Sequence, residues 1–564
     1  MQKTHKQVIK NALGDVYVKF FRWAIDRLQG RDGIVCLVTN NSFVDQIAFD
    51  GMRKNLSKDF NQIYHLDLHG NVRRNPKLSG TTHNVFGIQV GVGITVAVRV
   101  SQNSKRVIHY YRVPEYWRRT EKLAFLQQKE SITGVEWIEL QPNTRHTWLT
   151  EGIRPEFVSY IPIGTREAKA ARDVNLDGSE VESIFKTYSQ GAQTGRDYWT
   201  YDFNLNHLCS KVKSMVETYN AELSRWIQSG SPKDIDNFVL ADETRIKWSS
   251  RLKECFARGL TSTFTTSAIR NAMYRPFARC FLYFDNIITH RQGMFSNIFP
   301  NATTETENTI IWLKTGFEWP MFALATNVTA DLLPQGGSQC FPYYTYAEDG
   351  SNRRENITDW ALAQFGGQYG DEVTKWDIFH YVYAVLHHPV YCERYAENLK
   401  RDLPRIPLLS TQQAFKTCVH IGKRLMDLHL HYEDAQEYPL NWLENRDVPI
   451  NWRVEKMKLS PDKAMLRVND WLTLGGIPQV CYQYRLGNRS ALEWVIDQYQ
   501  VSTDARSGIV SDPNREDDEP EYIVRLVGKV VTVSVETVKL VEELAQAVKQ
   551  EEWMSETSIT NGKE

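Results

Sequence analysis

The chain has 564 residues, 42% hydrophobic and 24% charged, with a formal net charge of −1, a size that buries large cores and predicts three or four domains. No run of 18 apolar residues occurs and the N-terminal MQKTHKQVIKN lacks an apolar signal core, which argues against membrane insertion or export and for a cytoplasmic protein. Eight cysteines without a Cys-x-x-Cys pair fit reduced thiols rather than a disulfide or zinc framework.

Within VYVKFFRWAIDRL, Val16, Phe20, Trp23, Ala24 and Leu28 share one stripe, so residues 16–28 are expected to form an amphipathic helix. Gly30 and Asp32-Gly33 end it, and GIVCLVT (33–39) is the short apolar run of a strand covered on both faces. TNNSF turns the chain into a second helix over 45–60, and QIYHLDLHG (62–70) reads as another strand. A last strand within 84–100 follows GTTHNVFGIQVG, a polar loop with a single aromatic, Phe86. Helix, strand, helix, strand with short links predicts a parallel sheet. There are too few strands for a doubly wound domain, so residues 1–110 read as half of one, the other half expected before Met1.

Charge is unevenly spread. From Gly70 to Lys122 ten Lys/Arg face two acids, and from Ser511 onward thirteen acids face six bases. So dense a basic segment has the electrostatics of a nucleic-acid footprint, although any window of that length can be lopsided.

Residues 101–175 are mixed. From about 183 polar helices such as NLNHLCSKVKSMVETYNAELSRW alternate with aromatic strand–loop pieces at 274–295 and 332–346. WDIFHYVYAVLHH (376–388) is helical in period; Pro389 can open the next helix and Pro404 closes it. STQQAFKTCVHIGKRLMDLHL (410–430) begins on a capping Ser410, SALEWVIDQY (490–499) is a helix, and Ser534 can cap a last helix, SVETVKLVEELAQAVKQ.

Several chemistries are excluded. No Gly-x-x-x-x-Gly-Lys-Ser/Thr phosphate loop and no His-Glu-x-x-His occurs. Glu167-Ala168-Lys169 has no Asp in the preceding 90 residues, which removes a PD-ExK nuclease site. His429 and His431 could share a strand face as metal ligands, but such pairs more often line a polar surface, and no metal is expected. His387-His388 before Pro389 reads as a helix end, where imidazolium suits the dipole.

DVYVKFFRWAIDRL leading into GIVCLVTNNSF and on to GTTHNVFGIQVGVGITVAVRV resembles the second half of the catalytic domain of adenine-N6 DNA methyltransferases. GNVRRNPKLSGTTHNVFGIQVGV, YSQGAQTGRDYWTYDF (188–203), YRPF (274–277), HYVYAVLHHPVYCERYAENLKRDLPRIPL (380–408) and GNRSALEWVIDQY (487–499) resemble the C-terminal portion of type ISP restriction–modification enzymes. The resemblance covers essentially the whole chain. Those enzymes join a nuclease, a translocase, an adenine methyltransferase and a target-recognition domain in one polypeptide. The fold implied is an incomplete Rossmann-like α/β methyltransferase half-domain (1–110), a connector (111–180), a large mixed α+β target-recognition domain (181–450) and a C-terminal α+β part of the specificity region (451–564). The partner implied is double-stranded DNA, with no membrane.

An enzyme that methylates adenine must take the base out of the duplex. The resemblance makes Phe86 the ring that covers one face of the extruded base; the residues alone also allow a packed core Phe. Asn40, Asn41 and Ser42, at the end of a strand, and Asn84 are pocket-lining candidates or ordinary turn residues. The sequence departs from the family pattern: it has no Pro-Pro pair, hence no Asn-Pro-Pro-Tyr, and no Gly-rich turn after a first strand. S-adenosylmethionine is therefore expected only if an upstream-encoded N-terminal half completes the site, with no methylation by this chain alone. The DNA-contact candidates are Arg73, Arg74, Lys77, Gln193, Thr194, Arg196, Arg275, Gln335, Arg485, Asn488 and Arg489. Arg196 could reach guanine or phosphate, or sit beside Asp197 in a capped turn. The alternatives are a non-catalytic specificity module and a decayed gene product with an open sheet edge.

Overall fold

The computed structural model describes residues 13–72, 81–169, 181–317, 319–333, 337–515, 519–549 and 553. The chain divides into two compact units, Met1–Ile153 and Arg154–Glu564.

In the first unit α1 (Val16–Leu28) precedes β1 (Gly33–Asn40), and α2 (Asp50–Asp59) joins it to β2 (Gln62–Asp67). Then come β3 (Val92–Arg99), β4 (Val107–Arg112), α3 (Arg119–Lys129) and β5 (Ile138–Leu140). The strands lie in the order β1-β3-β2-β4-β5. β3 runs antiparallel to both β1 and β2, whereas β2 and β4 are parallel. The expected all-parallel sheet is therefore a mixed one. The reason is the link from β2 to β3: its described part carries a single 3-10 turn, Thr81–His83, and no crossover helix, which a parallel neighbour would need.

The core of this unit gathers Phe21, Phe43, Phe49, Leu56, Ile63, Ala97 and Trp148. Buried Arg53 ties it together, donating from Nε to the His146 carbonyl (2.6 Å) and from a terminal nitrogen to those of Phe43 (2.7 Å) and Gln46 (2.8 Å). The face of α1 that packs inward is Tyr17, Phe21, Ala24, Ile25 and Leu28. Val16, Phe20 and Trp23, read from the sequence as sharing the apolar stripe, are instead more than half exposed. β1 is an edge strand, and Ile34, Cys36 and Val38 leave one of its faces open.

The second unit contains α4 (Leu205–Gln228) and the hairpin of β6 (Ile269–Arg275) and β7 (Ala278–Tyr283). A second sheet is built on β8 (Ile310–Lys314), fully buried between β9 (Phe322–Thr326) and β10 (Gln339–Pro342). Against it pack α5 (Lys375–His387), α6 (Gln412–Leu430) and α7 (Tyr522–Ala547). One cluster of buried residues runs from Ala192 to Val538, so residue 450 is no boundary. Nor is 110, because β4 and β5 extend the first sheet beyond it.

Two helix starts differ from expectation. α6 is capped by Thr411, one residue after Ser410. α7 begins twelve residues before Ser534, whose hydroxyl lies inside the helix and donates to the Val530 carbonyl (2.6 Å). Valines fill this helix, and a pattern apolar on nearly every side hides where it starts. Among the described residues no helix is long and apolar enough to cross a membrane.

Candidate nucleic-acid interface

The Phe86 loop is organised by the side chain beside it. Asn84 is buried and uses its whole amide: Nδ2 donates to the carbonyls of Gly70 (3.1 Å) and Val90 (2.7 Å), while Oδ1 accepts from the N–H groups of Phe86 (2.9 Å) and Ile88 (3.3 Å). Gly70, at φ +86°, permits this closeness, since a Cβ there would stand 2.8 Å from the His83 carbonyl oxygen. Asn84 is thus the brace of the loop and not a pocket wall. The ring of Phe86 is left 61% exposed on a fixed backbone. The loop enters β3, whose first residues pair with Asn40 and Asp67, so it lies at the C-terminal ends of β1 and β2. Ligands of open α/β sheets bind outside those ends.

The other residues of that edge are bonded to one another. Asn40 Oδ1 accepts from the Ser42 N–H (2.9 Å), which turns the chain into a short 3-10 segment. Asn41 Nδ2 donates to Asp67, which also accepts from the His69 N–H (2.8 Å) and the Tyr110 hydroxyl (2.8 Å) and pairs with Arg112 (3.3 Å). Burial alone would raise the Asp67 carboxyl, but His69, Arg112 and the His69 N–H outweigh it and hold the group below the usual range. It stays ionised and saturated, so it anchors loops rather than moving protons. His65 packs beneath, its Nδ1 2.9 Å from Thr95 Oγ1, and burial pushes it down to about 4. Arg112 keeps its side chain nearly half exposed at this edge. The sequence reading missed Asp67; the signal available was a lone acid closing the apolar run QIYHLD.

In the second unit the 193–197 loop is a packed corner. Gln193 exchanges backbone hydrogen bonds with Arg291 at 2.8 Å each way, and Thr194 is buried with its hydroxyl on Asp197. Arg196 is 1% exposed. Its guanidinium donates to the carbonyls of Lys247 (2.9 Å) and Ile288 and to the Ser249 hydroxyl (2.8 Å). The expectation that it reads guanine or phosphate is corrected: the side chain is buried and each of its three nitrogens donates inside the fold. Arg275 is likewise committed, 2.5 Å from Asp331 and 3.8 Å above the Tyr274 ring. Burial lifts Asp331 to about 6 despite that pair.

The hairpin of Arg485–Leu486 with Arg489–Ser490 has Gly487 and Asn488 at its tip. Arg489 lies 4.9 Å over the Trp494 ring and 3.6 Å from Asp497, whereas Arg485 is exposed, its guanidinium donating to the neighbouring Asn488 carbonyl. A nearby cavity of about 290 Å³ is lined by Asp197, Asp202 and Asp497, a sign of charge that repels phosphates. Arg73, Arg74, Lys77 and Gln335 lie outside the described residues. His429 and His431 share no strand: the first is buried in α6 and the second caps it, and among the described residues no cluster of three metal-ligating side chains occurs.

Comparison with known proteins accounts for most of the chain. A family model described as the Type ISP C-terminal specificity domain matches residues 183–526. A nuclease-deletion mutant of the Type ISP restriction–modification enzyme LlaGI, solved in complex with a DNA substrate mimic, is 33% identical with a TM-score of 0.82, covering 94% of this chain and 48% of that one. The ATP-dependent Type ISP enzyme LlaBIII bound to DNA is 30% identical (TM-score 0.84, 95% and 34%). The DrdV–DNA complex is 33% identical (TM-score 0.81, 94% and 52%). The chain thus spans about half of these proteins or less. A search of curated proteins found no match. The chain belongs to the Type ISP C-terminal specificity domain family.

Proposed function

We propose that this chain is the target-reading and back methyltransferase portion of a Type ISP restriction–modification system. The second unit recognises duplex DNA; in support, its relatives LlaGI and LlaBIII are solved with a DNA substrate mimic and with DNA. The first unit supplies the rear half of an adenine-N6 methyltransferase domain, and Phe86 stacks on the extruded adenine. One observation carries this reading: an exposed aromatic ring on a braced loop at the C-terminal ends of two strands. A ring held so, with Asn84 beside it fully bonded to the backbone, has surface for a flat ligand. Stacking contributes about 1–3 kcal/mol per base.

The residues here do not by themselves make a donor site, and S-adenosylmethionine is held only with further chain. The surface supports this. Among the described residues β1 pairs on one side only, at the sheet edge, and Ile34 and Val38 on it and Val16, Phe20 and Trp23 on α1 are exposed apolar side chains. Such an edge is completed by pairing with another strand and its covering helix. A β/α segment carrying the donor turn and Asn-Pro-Pro-Tyr is the occupant proposed.

The test mixes the purified chain, a candidate N-terminal segment, labelled S-adenosylmethionine and plasmid DNA. Methyl transfer to adenine is expected only when both chains are present. Phe86→Ala should lower it by roughly five- to 160-fold, the rate equivalent of the stacking energy, while sequence-specific binding stays within about two-fold. Unchanged methylation would remove the stacking assignment. Absence of sequence-dependent duplex binding by the chain would remove the specificity assignment.

A further inference from the structure

The first unit has a second groove at the opposite ends of its strands. Where β2 and β4 begin, a hollow of about 480 Å³ is floored by Phe60, Ile63 and Ile108. Lys54, Lys58, Lys105 and Arg106 stand around it, all exposed. Lys54 and Lys58 are one turn apart on α2 and so share a face; Lys105 and Arg106 lead into β4. Arg106 donates to the Ser57 carbonyl (3.1 Å), which fixes its head at the rim. Among the described residues Lys54, Lys58 and Lys105 have no carboxylate partner, and Glu139 is the one acid lining the groove.

Four cations around one hollow against a single carboxylate concentrate a positive potential and draw in anions. The floor narrows what kind. Phe60 is 2% exposed and Ile63 and Ile108 are core, so the floor offers no ring face to a base; the other ring in the lining, His146, is half-buried. Cations without stacking surface match phosphate groups and carry no sequence information. We propose that this groove is a second, sequence-independent contact for the phosphate backbone of DNA. β2 has six residues, about 20 Å of strand, so the phosphates beside a base at Phe86 are not the ones held here. The groove takes a flanking or separate tract.

The proposal rests on the reading of the chain as DNA-binding, and the test separates the two. The full chain and the variant K54A/K58A/K105A/R106A are titrated with a duplex of arbitrary sequence between about 50 and 200 mM salt. Each lost phosphate contact should reduce the slope of log affinity against log salt by about 0.9, so a fall of two or more is expected. A smaller fall, with the thermal transition of the variant unchanged, overturns the groove assignment alone. If the unaltered chain binds no duplex at all, the DNA-binding reading itself fails. Glu139→Gln serves as a variant that removes no cation; it should tighten binding to the same duplex, and no gain counts against the groove.

Discussion

At the scale of single residues, Arg196 and Phe86 show what a sequence can and cannot reveal. Both stand in polar loops with small neighbours, which makes either a candidate contact. What separates them is the company each keeps in space: Arg196 meets Lys247, Ser249 and Ile288 from distant segments, and Phe86 stands exposed on the loop that Asn84 braces. Arg196 remains a cation although burial lowers its pKa to about 10, because two carbonyls and a hydroxyl replace its water. Truncation leaves those acceptors unpaired in a dry corner. Arg196→Ala is expected to destabilise the second unit by about 3 kcal/mol, read as a lower urea midpoint. Arg196→Lys should recover part of that loss without altering which duplex is preferred. A changed preference with an unchanged midpoint would return Arg196 to the DNA surface.

At the scale of elements, periodicity located α1 and β1 almost to the residue and the start of β2, whose end it set three residues late, because each is a short apolar run between clear breakers. The facing of α1 was not legible. Val16, Phe20 and Trp23 make one apolar stripe and Tyr17, Phe21 and Leu28 another, and only the packing against Phe43 and Phe49 chooses between them. The direction of β3 was hidden for a different reason: the stretch between β2 and β3 gives no count of crossover residues until its ends are placed. In the second unit the contact of α5 with α6 turns on a residue that carries no pattern. Gly422 lies against the His380 carbonyl, and a Cβ there would collide with that backbone oxygen. The two helices approach this closely only because the side chain is absent. Gly422→Ala, favourable for an isolated helix, is expected to cost about 1–3 kcal/mol here by forcing the pair apart. A thermal melt that stays level or rises would show that the helices separate without penalty.

At the scale of the whole molecule, the second unit hides several of its histidines in apolar surroundings, and this sets how it responds to acid. His387 and His388 end α5, where the sequence pattern favours imidazolium, yet burial pushes both down to about 4. His380 is lowered to about 4 as well, and burial holds His429, between the Tyr383 hydroxyl (2.6 Å) and Thr537 (2.9 Å), well below the usual imidazole range. These rings stay neutral when folded and take up protons near 6.5 when unfolded, so acid favours the unfolded chain. Their cost is absent above about pH 6.5 and grows as the pH falls toward 4. Two buried acids act the other way: Glu305, raised to about 7, and Asp331, raised to about 6, bind protons more tightly in the fold and add stability as the pH falls. These four depressed histidines, with His290 lowered in the same direction, against two raised carboxyls leave a net loss, on the order of 3 kcal/mol once the partly exposed rings are discounted. The urea midpoint of the second unit should therefore drop between pH 7 and pH 5, before ordinary carboxylates titrate. His429→Gln, neutral throughout, should flatten that drop, whereas a midpoint level over the same range would mean that the folded core accepts the protons in place.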